Sequence, residues 1–490
     1  MIIFLINVRT IMKAIKPFKQ FVSFKGDKLT NYDKKILIIG YGSVGQAILA
    51  LTVKHIASTP TNITVIEKDD HRTLFNKRNA GSGIKYARVN VVRSNLSSTL
   101  KKYLEPGGFL IDVSCNIDVD SIMQWCWEND VLYINTSLER WADEVDETIP
   151  DLAKRTLYST HNEVRAFAKD YQNASTAVVT HGANPGLVTH LTKRALLKLA
   201  EERGEEVEIP TDRQGWALLM KDLGVKVIHI AERDTQILDK PKEKNEFVNT
   251  WSCEGFWAEG RAPAEMGWGT HENKNPEGGK SQGGSAYLMA PGISVLMKSW
   301  VPKGGQYNGF CVQHSESITM SEYFTTKDKK FRPSIYYVYQ PCDAAIASVH
   351  ELRGRELDMQ VKYRIAKDEI ISGMDELGVL LIGEDFCAWH GSQLSIDEAR
   401  KLIPGESATS VQVVASMLGA IIWTIENPRM GYVEPEAIPY EYILHYADPY
   451  LGPVPFVMSD WSPNKDTNSL FYREYDASNP CSYENYRVWT

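Results

Sequence analysis

The stretch Ile36–Leu49, ILIIGYGSVGQAIL, constrains this chain more than any other. A short apolar run meets Gly40, Gly42 and Gly45, and a helical pattern follows at once. That is the strand–turn–helix of a dinucleotide-binding unit. Gly40 permits the tight turn, Gly42 lets the backbone approach a pyrophosphate at the helix N-terminus, and Gly45 lets helix and strand pack closely. The next strand, Ile63–Ile66, ends in Glu67. A carboxylate there accepts both ribose hydroxyls of an adenosine and repels a 2′-phosphate, which favours NAD over NADP. Lys68 and Arg72 lie close by and pull the other way. The bland alternative is a glycine-rich turn in an α/β protein without a cofactor.

Further strands are predicted at Lys85–Val89, Phe109–Val113, Val131–Asn135 and Thr176–Thr180, with helical patterns between several of them. This alternation implies a doubly wound parallel sheet of the Rossmann type with helices on both faces. Ligands then bind beyond the carboxyl ends of the strands. Those ends carry Asp112-Val-Ser-Cys-Asn116, Asn135-Thr-Ser-Leu-Glu139 and His181-Gly-Ala-Asn-Pro-Gly186. Leu187–Glu202 reads as an amphipathic helix, and a charged linker follows to Pro210.

Beyond it the texture changes to a second α+β domain with an antiparallel-rich sheet. Its strands are expected at Val225–Ala231, Phe247–Trp251, Tyr287–Leu288, Ser317–Met320, Ser334–Tyr339 and Gln360–Ile365. Gly255–Gly284 is rich in Gly, Pro, Asn and Trp and is expected to be a long loop or lid. Ser407–Glu426 is a strongly apolar helix that can pack back on the first domain, and the tail from Tyr440 shows little periodicity. The expected division is an N-terminal extension over 1–33, a dinucleotide-binding domain over 34–186, and a substrate and dimerisation domain with a tail over 187–490.

A chain of 490 residues with 43% hydrophobic and 24% charged residues has room for two or three domains with real cores. Its net charge of −8 argues against nucleic acid as a partner and suits a cationic substrate. The seven cysteines include no CxxC pair, which points to reduced thiols in a cytoplasm and to no metal site. Residues 1–12, MIIFLINVRTIM, are apolar but lack the basic start and cleavage site of a signal peptide, and are too short to span a bilayer. Met12 opens a more usual beginning, so residues 1–11 read as an extension or a misassigned start.

Three groups of residues can carry chemistry. HGANPG follows a strand directly; Asn184 can point its amide into the cleft, although an Asn beside a helix start is equally an ordinary cap. Acids stand beside aromatics: Glu139 in LERWADE, Glu232 in HIAERDTQ, and Trp251, Glu254 and Glu259 in NTWSCEGFWAEG. His314 and Glu316, in VQHSESI, alternate on an expected strand and so face the same way. Taken singly, each is as well explained by packing or solvation. Together they suit a small polyamine, because ammonium groups need carboxylates and Trp is the best aromatic face for a cation. No HExxH, GxSxG or Walker loop competes with that reading.

GYGSVGQ, DVSCNID, NTSLERW, HGANPG, AERDTQ, NTWSCEGFWAEG and HSES, in this order from about Lys34 onward, resemble the bacterial homospermidine synthases, relatives of the saccharopine dehydrogenases. The resemblance implies an enzyme that joins two putrescines, or spermidine and putrescine, into sym-homospermidine. Ammonia or diaminopropane is released, and NAD is retained and recycled in a dimer with a Rossmann domain. It implies an amine site of Asn116, Glu139, Asn184, Glu232, Trp251, Glu259 and His314.

Within this reading Trp251, Glu232, Glu259, His314 and Asn184 act on the reaction. Chemistry rather than resemblance makes His314 the proton carrier, and Glu316 joins the substrate contacts. Cofactor contacts are expected from Gly40, Gly42, Ser43, Val44, Gly45, Glu67, Asp112, Ser114, Thr136, Asn184 and Pro185. The expected partners are putrescine and spermidine, with no nucleic acid, membrane or metal. A saccharopine- or carboxyspermidine-type dehydrogenase would instead want arginines for α-carboxylates. A non-catalytic NAD-binding sensor would need no acid-and-Trp pocket.

Overall fold

A computed structural model describes residues 28–142, 151–463 and 474–488. The reading of residues 1–11 therefore lies outside the described residues. Thr30–Asn31, in the expected extension, pairs with Ile56–Ala57.

The first sheet is built from β1 (Ile36–Ile39), β2 (Ile63–Glu67), β3 (Lys85–Arg88), β4 (Phe109–Asp112), β5 (Leu132–Asn135) and β6 (Ala177–Val178). Helices α1 (Ser43–His55), α2 (Arg72–Asn79), α3 (Leu96–Tyr103), α4 (Val119–Glu128) and α5 (Leu157–Ala168) alternate with them, and α6 (Leu187–Glu202) follows β6. Every residue of β1 is buried, as a central strand covered on both faces requires. The spatial order is β3-β2-β1-β4-β5-β6 with all pairs parallel. From β1 the chain winds first one way, to β2 and β3, and then the other, to β4. The crevice of such a sheet opens beyond the carboxyl ends of β1 and β4. There Gly40 takes φ +100, and a Cβ on it would lie 2.7 Å from the Val113 carbonyl oxygen.

The second sheet has ten strands. Its centre is β7 (Val227–Asp234); after β8 (Glu246–Asn249), which pairs with Lys362–Ile365 outside this sheet, and α7 (Cys253–Arg261) come β9 (Pro263–Gly267), β10 (Gly279–Gln282), β11 (Ser285–Pro291), β12 (Leu296–Val301) and β13 (Gly305–Phe310). Helix α8 (Ser315–Tyr323) leads to β14 (Ser334–Gln340), β15 (Met374–Ile382) and β16 (Cys387–Ser395). Then α9 (Ala408–Glu426), β17 (Tyr432–Val433) and β18 (Phe456–Ser459) close the fold. The order is β10-β11-β9-β14-β7-β15-β16-β18, with β12 and β13 attached at β14, and β14–β7 is the parallel pair in a mostly antiparallel sheet. The expected class, a Rossmann-type parallel sheet plus an antiparallel-rich α+β domain, is what the chain adopts.

Helix α9 touches α1 and β5 on one side and β15 and β16 on the other. The Ser407 hydroxyl accepts the Ser410 N–H at 3.1 Å and caps it. Although α9 is long and apolar enough to cross a membrane, 89% of its apolar window is buried inside the protein. Its apolar surface is answered by the two sheets. After it, β17 returns to the parallel sheet beside β6.

Three expected elements come out differently. Ser317–Met320 is not a strand but the middle of α8, whose residues Ser315–Ser321 are all buried. Buried on every side, the helix shows none of the polar–apolar period by which a helix is recognised. Gly255–Gly284 is not one loop, since it contains most of α7, β9 and β10. Its glycines serve close packing: a Cβ on Gly267 would lie 2.2 Å from the Ser317 carbonyl oxygen of α8. The strand expected over Phe247–Trp251 ends at Asn249, so Trp251 sits in the turn that Ser252 caps. The tail holds a helix at Tyr440–Ala447 as well as β18.

Gly45 is the tightest point of the dinucleotide turn, because a Cβ there would lie 2.1 Å from the Gly40 carbonyl oxygen, whereas a Cβ on Gly42 meets nothing within 4 Å. Gly45→Ala is therefore expected to lower stability by about 1–3 kcal/mol. Gly42→Ala should stay within about 0.5 kcal/mol of the parent. Urea midpoints of the two variants check the contrast, and equal midpoints would contradict it.

Candidate active site

At the end of β2 the Glu67 carboxylate accepts the Tyr41 N–H at 2.6 Å and the Asp69 N–H at 3.1 Å. It thus ties the glycine turn to the neighbouring strand. The two cations beside it are engaged elsewhere. Lys68 pairs with Glu254 at 3.2 Å, and Arg72 lies over the Tyr86 ring at 5.3 Å from its centroid. Helix α1, whose first residues are Ser43 and Val44, begins at Gly42 with no side chain capping it. Space beside Gly42 and an uncapped helix N-terminus fit a pyrophosphate.

Asp112, at the end of β4, accepts from the Ser114 N–H at 3.1 Å, the Ser114 hydroxyl at 2.5 Å and the Tyr133 hydroxyl at 3.3 Å. Burial pushes its carboxyl up to about 6 against those hydrogen bonds. Asp112 and Ser114 thus hold their own turn. Thr136 lines the HGANPG corner, its methyl 3.6 Å from where a Gly182 Cβ would lie. Asn116 takes φ 63 and is exposed, and its backbone N–H donates to Glu139 at 3.0 Å.

The second group of acids gathers against β7 and β14. Glu232 is buried on β7 and accepts the Tyr337 hydroxyl at 2.6 Å and the Asn184 amide at 2.8 Å. Asn184 reaches it from the HGANPG corner, where the Asn184–Pro185 bond is cis and Gly186 takes φ +116. A Cβ on Gly186 would lie 2.8 Å from the Gly182 nitrogen, so the corner demands glycine there. Glu259, on α7, keeps one buried carboxylate oxygen without a hydrogen-bond partner.

Burial raises Glu232 and Glu259 to about 7, and neighbouring acids add to the effect. Burial also raises Glu139, against hydrogen bonds from Asn116 and Ser137. His314 is drawn down by burial, but Glu316, Glu259 and Glu232 together more than offset this and raise it.

Aromatic rings run along the same wall. His314 stands edge-on to Tyr337 at 4.9 Å, Tyr337 stacks with Tyr339 at 5.3 Å, and the Trp251 indole N–H donates to the Tyr339 hydroxyl at 2.9 Å. The expectation that His314 and Glu316 alternate on a strand is corrected: His314 is the residue before α8, and Glu316 lies in its first turn. They meet nonetheless, Nδ1 to carboxylate at 2.6 Å.

Tyr337 and Tyr339 were not singled out from the sequence. Their period of two in SIYYVYQ marks one face of β14, but only the β14–β7 pairing, Tyr339 opposite Glu232, brings that face to the acids. Arg140 and Arg233, the arginines nearest the motifs, turn elsewhere. Arg140 pairs with Asp118, Asp120 and Glu163, and Arg233 donates to the Gly304 carbonyl.

The chain matches the saccharopine dehydrogenase NADP binding domain over residues 36–179 and the saccharopine dehydrogenase C-terminal domain over 182–454. Homospermidine synthase from Mesorhizobium japonicum is 39% identical over 469 residues, 92% of this chain and 96% of the relative. That from Blastochloris viridis is 39% identical over 474 residues, 93% and 98% respectively. The crystal structure of homospermidine synthase from Legionella pneumophila in complex with NAD superposes with a TM-score of 0.87 at 39% identity, over 94% of this chain and 98% of that one.

The chain belongs to the homospermidine synthase family.

Glu232 and Glu259 bind protons more tightly folded, at about 7, than at their ordinary value of 4.5. The resulting stability is fully present below about pH 4.5 and is lost as pH rises through about 7. Glu232→Gln and Glu259→Gln abolish that loss. Without ligand, each variant should melt above the parent at pH 8, and the gap should narrow toward pH 5. Thermal scans at the two pH values decide it.

Proposed function

We propose that this chain is a homospermidine synthase, a redox-neutral aminobutyl transferase. Two putrescines give sym-homospermidine and ammonia; with spermidine as donor the leaving amine is diaminopropane. The observation that carries this reading is the gathering of Glu232 and Glu259 around His314, with Asn184 on Glu232 and Trp251 on Tyr339, in a chain that also carries a dinucleotide turn.

Gly40, Gly42, Ser43, Val44 and Gly45 would hold the pyrophosphate, Glu67 the ribose, and Thr136, Asn184 and Pro185 the inner end of the cofactor. NAD, when bound there, supplies reversible hydride transfer at a nitrogen-bearing carbon. Glu232 and Glu259 bind the distant ammonium, and the bound cation in turn favours their ionised forms. Trp251 offers its π face to the cation that develops on the substrate. Asn184, hydrogen-bonded to Glu232, orients that carboxylate, and Glu139 extends the acidic wall toward Asn116. His314 carries a proton near neutral pH, held in place through Nδ1 and exchanging at Nε2.

A dehydrogenase of α-carboxylated amines is disfavoured because Arg140 and Arg233 are committed to other partners. A silent NAD-binding sensor would leave the cost of burying these acids unexplained. Homodimer formation is proposed with the function, on the family resemblance. A cytoplasmic setting is supported by the absence of any disulfide among the seven cysteines.

Purified protein loaded with NAD and given putrescine alone should form homospermidine with no net NADH; failure to do so overturns the assignment. A cation–π contact of about 2 kcal/mol is worth roughly thirtyfold in rate. Trp251→Ala should lose at least that much while retaining NAD, and Trp251→Phe should keep part of the activity.

Glu67 should set cofactor choice. Glu67→Ser is expected to raise the use of NADP relative to NAD, and an unchanged ratio of the two would remove Glu67 from the ribose site.

A further inference from the structure

Glu316 is almost fully buried and spends both carboxylate oxygens inside the protein. One lies 2.6 Å from Nδ1 of His314, and the other accepts the Gly186 N–H at 2.7 Å. Gly186 closes the corner that carries Asn184, and Asn184 donates to Glu232 at 2.8 Å. A continuous chain therefore runs from the imidazole through Glu316 and the HGANPG corner to the acid of β7.

We propose that Glu316 is a positioning residue rather than a substrate contact: it fixes the proton on Nδ1 of His314, presents Nε2 to the reaction, and couples His314 to the corner that orients Asn184. The inference rests on His314 as the proton carrier.

An ionised carboxylate only accepts, so Nδ1 must carry a hydrogen toward it and the exchanging nitrogen is Nε2. The groups facing His314 are Glu316 on its own helix, Glu259 from α7, Glu232 from β7 and the Tyr337 ring from β14. Glu316 in turn has Glu436 as an acidic neighbour. Glu259 and Glu232 are the acids offered to the substrate. Glu316 is the one whose hydrogen bonds are already satisfied, so its effect on His314 persists whether or not an amine is bound.

Glu316→Gln keeps the size of the side chain but removes the charge. In the NAD-loaded protein, the limb of the kcat–pH profile that His314 governs should move about one unit toward acid. KM for putrescine should change less than threefold. In a His314→Gln background the same substitution should add nothing further.

A rise in KM of tenfold or more with an unmoved pH profile would show that Glu316 binds the amine and would overturn the proposal. If His314→Gln itself leaves the profile unchanged, the proton-carrier reading fails; if it changes the profile and Glu316→Gln does not, only the present inference fails. Should Glu316→Gln not fold, histidine-labelled NMR of the parent still decides. A downfield Nδ1–H resonance, absent from His314→Gln, is expected, and a proton on Nε2 with a bare Nδ1 refutes the arrangement.

Discussion

Burial raises Glu139, Glu232 and Glu259 toward their neutral forms, and the protein supplies little opposing charge. The strongest electrostatic neighbours of Glu259 are His314 and three further acids, Glu139, Glu232 and Glu316. Removing carboxylates from water costs several kcal/mol each unless something answers them. Hydroxyl and amide donors answer Glu232, while one oxygen of Glu259 stays without a partner. Such a cluster of buried acids carries an electrostatic cost that the protein's own groups answer only in part. The same acids raise His314 despite its burial, so one cluster of carboxylates sets the charge balance of both the acids and the imidazole.

The acids keep their arrangement because the two sheets that carry them are joined beside them. Helix α9 lies between them, with α1 and β5 on one side and β15 and β16 on the other. Two hydrogen bonds then cross at the site, Asn184 to Glu232 and the Gly186 N–H to Glu316. Each joins the corner after β6 to the second sheet or its helix. The Lys68–Glu254 pair also spans from the end of β2 to α7, but both side chains are partly exposed, and pairs of that kind add little. Position is therefore carried by the buried bonds.

Legibility followed periodicity and turn chemistry. Helix α6 matches the reading residue for residue because its second half, from Arg194 on, alternates buried and partly exposed positions. β1 and the glycine turn were readable because Gly40 and Gly45 each answer a separate steric demand. α8 was not, since burial on all sides removes its period, and the Ile318-Thr319 pair imitates a strand. Among site residues, Glu232, Trp251 and Glu259 stood out as acids and indole in short motifs. Tyr337 and Tyr339 carry no motif of their own, and only the strand register sets Tyr339 against Glu232. Glu316 is legible as a partner of His314, but a helix start rather than a strand alternation brings the two together.

The sequence by itself determined the parallel sheet, the dinucleotide turn, the choice of acids and tryptophan over arginines, and the family. All of these rest on local pattern or on motifs that a few consecutive residues carry. Tertiary structure alone decided which acids lose their water, which oxygen keeps no partner, and that Glu316 serves His314 and Gly186. Burial and hydrogen bonding of a side chain depend on residues far along the chain: Gly186 and Glu316 are 130 positions apart. No local pattern encodes a distance of 2.7 Å between such groups.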